Sequence, residues 1–118
     1  MAEFNGPPGL GGRTALITSG TSLSSAVSTG QAGFFGIQMP AAWDAAGLSM
    51  QGSHDGNTWA EIIFYDGTPL AWVVAASQII LPQSPAQLLG LNFFKFRSGT
   101  SGVPVNQSAN RTITLLVA

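Results

Sequence analysis

The chain has one histidine, His54, which stands beside Asp55, and these residue types occur together in nucleophilic catalytic triads. In such a device the carboxylate orients the imidazole, which takes a proton from a separately positioned serine. Adjacent turn residues seldom reach that geometry, and Asp55 is followed by Gly56, a pair typical of a tight hairpin turn. We therefore expect a polar turn here, and no catalytic residue.

The acidic residues show no metal-binding spacing, since neither HExxH nor an EF-hand loop is present. Asp55 and Asp66 each precede a glycine, so hydrogen bonding to the turn backbone explains them. A glycosidase needs two carboxylates facing one cleft at about 5 to 10 Å. Nothing in the sequence brings together the two candidates outside turns, Asp44 and Glu61. Without cysteines or a glycine-rich phosphate loop, we expect no metal and no cofactor.

Charged residues make up only 8% of the 118 residues, where roughly 25% is typical, and the formal net charge is -1. The four scattered cations, Arg13, Lys95, Arg97 and Arg111, cannot form a phosphate-binding patch, so we expect no nucleic-acid partner. A neutral polar surface loses little charge solvation when it packs against another protein. The composition therefore favours assembly, the alternative being simply a neutral, glycine-rich β-domain.

The N-terminal residues MAEFNGPPGLGG lack the basic start and apolar segment of a secretory signal. No apolar run approaches the roughly 18 to 20 residues needed to span a bilayer, so we expect a cytoplasmically made protein without a membrane partner. Two prolines and four glycines within residues 5 to 13 predict an extended arm, residues 1 to 13, or a disordered tail. Its candidate contacts, with either a different partner protein or another subunit of the same kind, are Phe4, Pro7, Pro8, Leu10 and Arg13.

Hydrophobic periodicity predicts about eight strands and no long amphipathic helix. The predicted strands are residues 14–18, 33–39, 48–53, 59–65, 70–75, 77–81, 91–97 and 111–118, with a strand pair or loop in 19–31. Apolar residues on both faces predict that strand 91–97 is central. Residues 40–47 predict one helical turn, and residues 85–91 a helical turn or an irregular link. This pattern indicates one all-β domain, residues 14–118, folded as an antiparallel β-sandwich or jelly roll.

Four large aromatic side chains, those of Trp43, Trp59, Tyr65 and Trp72, leave two interpretations open. Pyranose faces pack on exposed indole rings, so one of them could belong to a sugar-binding platform. Tryptophan in a small β-sandwich is more often part of the core.

The segment LSMQGSHDGNTWAEI, residues 48–62, resembles the S-x-DG-x-x-W signature of discoidin-like, galactose-binding-type β-sandwiches. Ser53, Asp55, Gly56 and Trp59 fill the signature positions, and NFFKFRSGTSG, residues 92–102, resembles a late strand of such domains. The resemblance implies carbohydrate or other surface-ligand binding. The signature turn marks the fold of that family and not its ligand site. The chain also lacks the cysteines and the signal of the secreted members, so we transfer no binding residue.

The stretch from PAAWDAAGLSMQGSHDG to FFKFRSGTSGVPVNQSANRTITLLVA resembles small structural proteins of tailed bacteriophages and prophages. Some proteins of this kind are capsid decoration (cement) proteins or head-fibre bases with a jelly-roll fold. The resemblance implies a virion protein on the capsid surface, made in the host cytoplasm. Its implied partners are the major capsid protein or another virion protein, and further copies of itself in a dimer or trimer.

The leading hypothesis from the sequence is therefore a capsid decoration protein that stabilises the shell and is not an enzyme. The alternative is a carbohydrate- or receptor-binding β-sandwich module of a head or tail fibre, with a glycan as its partner.

Overall fold

Two antiparallel sheets make up the part of the chain that this computed structural model describes, namely residues 11–29, 34–81 and 91–117. The strands are β1 (Gly11–Ile17), β2 (Val27–Ser28), β3 (Phe34–Gln38), β4 (Leu48–Ser53), β5 (Ala60–Glu61), β6 (Ala71–Trp72), β7 (Ile79–Ile80), β8 (Phe93–Ser98) and β9 (Arg111–Val117). Sheet A has the order β1-β9-β3-β7, and sheet B has the order β2-β8-β4-β5 with β6 also paired to β4. Within these ranges there is no helix long and apolar enough to cross a membrane.

The strand order is that of a jelly roll. β1 pairs with β9, β2 with β8, β3 with β7, and β4 with both β5 and β6, so the strands form nested antiparallel pairs. Wrapping these pairs around one core adds the β3–β9 and β4–β8 ladders, which complete the two layers. The predicted antiparallel sandwich of jelly-roll type is confirmed. The described ranges contain nine strands where about eight were predicted, because the neighbour of β4 is split into β5 and β6.

The split arises because the chain leaves sheet B between β5 and β6. β5 pairs with Gln51 and Gly52, whereas β6 pairs with Leu48 and Ser49. The intervening residues 62–70, which we call the β5–β6 hairpin, are closed by an Ile63–Pro69 bridge. The predicted strands 59–65 and 70–75 therefore shorten to two residues each. Within the hairpin the Phe64 N–H donates to the Thr68 carbonyl and the Leu70 N–H to the Ile62 carbonyl, so these groups do not pair with the sheet.

Alternate residues of the long strands fill the space between the sheets. Phe94 and Phe96 of β8 are completely buried between the sheets. Phe93, Lys95 and Arg97 of the same strand lie on the other face of sheet B. The buried apolar side chains are those of Ala15, Ile17, Val27, Ile37, Met39, Leu48, Met50, Leu70, Phe94, Phe96, Ile113, Leu115 and Val117. β8 lies between β2 and β4, which confirms its predicted central position.

The predicted helical turn at residues 40–47 is wrong, because this segment is irregular. Side chains, and not a helical ladder, supply hydrogen-bond partners for its backbone. Trp43 Nε1 donates to the Ala46 carbonyl at 3.1 Å, and the Asp44 N–H donates to Gln107 Oε1. Residues 19–31 contain the short strand β2, while residues 85–90 lie outside the described part.

β1 begins at Gly11, three residues before the predicted start, so Arg13 lies in sheet A although the sequence placed it in an arm. The pairing with β9 continues to Gly11 opposite Val117. Gly12 permits it, because a Cβ atom at that position would lie 2.9 Å from Thr114 Cγ2.

Candidate functional site

The turn after β4 is held by one carboxylate oxygen. Asp55 Oδ1 accepts hydrogen bonds from the backbone N–H groups of Asn57 and Thr58, both at 2.8 Å, and from the Ser53 hydroxyl at 3.0 Å. The Thr58 bond, followed by those from Asn57 and Ser53, holds the pKa of Asp55 well below its usual range. One oxygen of the carboxylate thus stabilises the turn through three hydrogen bonds.

The neighbouring His54 accepts no hydrogen bond from Ser53. Its side chain is exposed, and the Ser53 hydroxyl donates to Asp55 and not to the imidazole. Ser53 Oγ also accepts the N–H of Gly56, which has a φ of 80°. The polar turn expected from the Asp-Gly pair is present, and the serine hydroxyl is committed to it.

Glu61, one of the two acids considered for catalysis, forms a bidentate ion pair with Arg97 across sheet B. Arg97 Nη1 donates to Glu61 Oε1 at 2.6 Å, and Arg97 Nη2 donates to Oε2 at 2.7 Å. Arg97, and to a smaller extent the amide of Gln51, lowers the pKa of Glu61, and Glu61 raises the pKa of Arg97. The arginine side chain is only 10% exposed, so this pair neutralises a charge that would otherwise be costly to bury.

Asp44, the other candidate acid, binds a different set of groups. The N–H and hydroxyl of Ser108 donate to its carboxylate at 2.7 and 3.0 Å, and Arg111 Nη2 donates at 2.9 Å. These contacts, those of Ser108 first, lower the pKa of Asp44. Asp44 and Glu61 thus pair with separate arginines.

Lys95 and Asp66 also make contacts within the described part of the chain. Lys95 Nζ lies 4.5 Å from the centre of the Trp59 ring, a cation–π contact on sheet B. Asp66 Oδ1 accepts the Thr68 N–H at 3.0 Å and so closes the tip of the β5–β6 hairpin. Within the described ranges no group of three or more histidine, aspartate or glutamate side chains is placed to hold a metal ion.

The indole rings do not form an exposed platform. Trp43 and Trp72 are partly buried and pack against the core, and Trp59 is half-buried beneath Lys95. The core interpretation therefore applies to two of the three. Of the four aromatic residues considered for sugar binding, Tyr65 is exposed, and it lies at the tip of the β5–β6 hairpin.

The β5–β6 hairpin presents apolar side chains to solvent. Ile63 is 57% exposed, Phe64 is 38% exposed and Tyr65 is completely exposed. The hairpin is nevertheless built firmly, because Phe64 N–H donates to the Thr68 carbonyl at 2.8 Å and Gly67 adopts a φ of 87°. An ordered turn thus holds three large apolar side chains outside the core.

An apolar cleft of about 480 Å³ lies beside this hairpin. Four hairpin residues line it: Ile62, Ile63, Pro69 and Leu70. The loop Thr100–Gly102 and the side chains of Ser49 and Glu61 complete the lining. The cleft can therefore accept an apolar group, with hydroxyl groups beside it as hydrogen-bond partners.

The loop that borders the cleft, residues 99–105, is anchored at its base. Gly99 has a φ of 87° and its N–H donates to the Gly47 carbonyl, while its own carbonyl accepts the Ser49 hydroxyl at 2.9 Å. Thr100 bonds back to Val103, whose side chain is 69% exposed. We use the name hairpin surface for the cleft together with the exposed side chains of Ile63, Phe64, Tyr65 and Val103.

The predicted arm contacts can be placed only in part. Phe4, Pro7, Pro8 and Leu10 lie outside the described residues, whereas Arg13 is exposed on β1. The hairpin surface was not recognised in the sequence, because WAEIIFYDGTPLAWVV is equally consistent with two paired strands. The one available signal was Ile-Ile-Phe-Tyr, four consecutive large apolar residues directly before a turn.

The fold and this surface define an all-β jelly-roll domain in which Glu61 and Asp44 are each paired with an arginine and an apolar cleft lies beside the β5–β6 hairpin. Comparison with protein families, curated proteins and solved structures finds no match to the chain.

Proposed function

We propose that this chain is a structural protein of a tailed-bacteriophage virion, a capsid decoration protein that binds the outer capsid surface and stabilises the shell. The observation that carries the proposal is the hairpin surface. A protein surface that keeps Ile63 and Tyr65 in water on an ordered turn gains free energy when a partner covers them.

The size of that gain suits a protein used in many copies. Burying one large apolar side chain contributes about 1.5–3 kcal/mol, and part of this is offset by the cost of association. A few such contacts give modest affinity for one domain. Many copies on a shell would add their contributions and oppose its expansion.

The placement of charge supports docking by apolar and neutral contacts. Glu61, the carboxylate that lines the cleft, is paired with Arg97, so a partner that covers the cleft need not compensate its charge. The cleft can thus be dehydrated at a low electrostatic cost. The ion pairs of Glu61 and Asp44 also support a role without catalysis.

The jelly-roll fold and the resemblance of residues 40–118 to small virion proteins support the choice of partner. On this proposal, the major capsid protein or another virion protein covers the hairpin surface, and further copies of the chain are neighbours.

The experiment is co-sedimentation of the purified chain with empty shells of the major capsid protein encoded in the same genome. We expect saturable binding that Ile63→Ser or Tyr65→Ser weakens about tenfold or more, since each removes most of one buried apolar side chain. Ile79→Ser is the control, because Ile79 is 60% exposed but belongs to sheet A. Failure of the unaltered chain to bind shells, or equal weakening by all three substitutions, would refute the proposal.

The fibre-module alternative is supported by Tyr65, whose exposed ring could stack on a sugar. A glycan array separates the two functions. Specific glycan binding that Tyr65→Ala abolishes, together with no binding to shells, would favour the fibre module.

A further inference from the structure

The outer edge of β1 carries backbone groups that the described part of the fold does not use. β1 is the outermost strand of sheet A and pairs with β9 on one side only. Near its end, the Leu16 N–H donates to Ser25 Oγ at 3.1 Å and the Leu16 carbonyl accepts the Ser25 N–H at 2.9 Å. Both polar groups of Leu16 therefore point away from β9.

In an antiparallel strand the direction of the N–H and C=O groups alternates from residue to residue. The register of β1 on β9 is continuous, so Thr14 and Gly12 turn their N–H and C=O groups away from β9 as Leu16 does. Among the described residues no backbone group bonds to them there. The Gly12 carbonyl has only a long contact, 3.5 Å, with Arg13 Nη1.

Arg13 lies on this edge between Gly12 and Thr14. Its side chain lies on the face of β1 that also carries Ala15 and Ile17, and this face is buried further along the strand. Gly12 and Thr14 lie on the opposite face. A charge on the inward face of an edge strand discourages indiscriminate strand pairing. On the free side Arg13 occupies a non-hydrogen-bonded position, where the opposing side chain comes closest, at a Cα separation of about 4.5 Å.

We propose that the β1 edge from Gly12 to Thr14 is a strand-addition site for an extended segment of a partner protein that carries a carboxylate opposite Arg13. The Gly12 and Thr14 groups would supply the main-chain bonds, and the ion pair with Arg13 would select the partner. Arg13 is the one cation of the described chain that has neither a carboxylate nor an aromatic ring beside it.

A second copy of the chain fits this edge less well. The antiparallel pairing that joins Gly12 of each copy to Thr14 of the other places the two Arg13 side chains directly opposite one another. Like charges at that position are destabilising. The charge of the edge therefore favours an acidic partner segment over self-pairing.

The β1 edge is separate from the hairpin surface. β1 is one end of sheet A and contacts β2 and β8, whereas the hairpin extends from the opposite end of sheet B, beyond β4. The inference therefore does not rest on the virion function. If both surfaces are occupied, one domain joins two neighbours on opposite sides.

The experiment is an NMR titration of the ¹⁵N-labelled full chain with two capped seven-residue peptides, Thr-Val-Thr-Glu-Thr-Val-Thr and its analogue with lysine in place of glutamate. We expect the glutamate peptide to shift the Gly12 and Thr14 amide signals, and to bind at least about fivefold more tightly than the lysine peptide. Arg13→Glu should reverse that order. Tyr65→Ser should leave it unchanged, which separates this test from that of the proposed function.

Thr14→Pro removes an N–H that points away from β9 and should abolish peptide binding without breaking the β1–β9 ladder. If that variant does not fold, Arg13→Glu still decides the matter. The proposal is overturned if neither amide moves up to the solubility limit of the peptide. It is also overturned if both peptides bind alike, or if Arg13→Glu leaves the preference as it was.

Discussion

The side-chain amide of Gln107 forms two hydrogen bonds with the backbone of Asp44, as a paired strand residue would. The Asp44 N–H donates to Gln107 Oε1 at 2.8 Å, and Gln107 Nε2 donates to the Asp44 carbonyl at 3.2 Å. Nε2 also donates to Ser98 Oγ at 2.7 Å, and Oε1 accepts from Arg111 Nε at 3.1 Å. This fully buried amide thus ties residues 40–47 to β8 and β9.

Gln107→Leu should destabilise the fold by about 2–4 kcal/mol, because it leaves the Asp44 N–H and the Ser98 hydroxyl without their partner in a buried site. Urea denaturation measures the difference. Asn106→Ala is the control, since Asn106 is adjacent but exposed, and it should change stability by less than about 0.5 kcal/mol. Equal effects of the two substitutions would contradict a linking role for Gln107.

Stability should fall as the pH drops below about 4.5, the ordinary pKa of a glutamate. The pKa of Glu61 is lowered in the folded protein, chiefly by Arg97, and hydrogen bonds lower the pKa values of Asp44 and Asp55. A lowered folded pKa means that the unfolded chain binds more protons, so this stability is present above the ordinary pKa. It is lost as the pH falls through the folded pKa.

Urea titrations at a series of pH values check this expectation. Glu61→Gln should lower stability near neutral pH and make the decline in acid shallower, because one carboxylate no longer takes up a proton on unfolding. A stability that stays constant through the acid range would show that these ion pairs and turn bonds do not contribute.

Two glycines with the same φ of 87° should respond differently to alanine. At Gly67 the position of a new Cβ is open, so Gly67→Ala should cost only the backbone penalty of about 1–2 kcal/mol. At Gly99 a Cβ would collide with the Val103 carbonyl, which folds over it in the loop beside the cleft. Gly99→Ala should therefore lower the midpoint of thermal denaturation clearly more than Gly67→Ala does. Equal midpoints for the two variants would contradict the position of the Val103 carbonyl over Gly99.

Asp55→Ala should lower the urea midpoint, because three hydrogen bonds to its carboxylate close the turn after β4. His54→Ala, the adjacent exposed substitution, should leave the midpoint unchanged. The reverse ranking, or a hydrolase activity that His54→Ala removes, would contradict the structural interpretation of this turn.

The strands predicted best are those with strong local patterns. β4 coincides with the predicted residues 48–53, and β9 differs from its prediction only at the last residue, which is outside the described part. Alternation of apolar residues determines a strand locally, because its period of two matches the two faces of a sheet. The Asp-Gly turns could likewise be predicted, since glycine alone adopts positive φ readily.

The predictions failed where remote groups compete with local preference. Residues 40–47 carry helix signals, but the side chains of Gln107, Ser108 and Arg111 bind Asp44 from more than sixty positions away. The β5–β6 hairpin has strand composition, yet it leaves the sheet. The only local sign of the hairpin was the run Ile-Ile-Phe-Tyr before its turn, and this run is equally consistent with a paired strand.

The sequence by itself determined an all-β, charge-poor domain with glycine turns, because those properties depend on composition and nearest neighbours. The tertiary structure determined which charged side chains form ion pairs. Glu61 meets Arg97, and Asp44 meets Arg111, only because the jelly roll brings distant strands and loops together. It also decided that Ile63 and Tyr65 face water while Phe94 and Phe96 are buried, since burial depends on which surfaces the fold encloses.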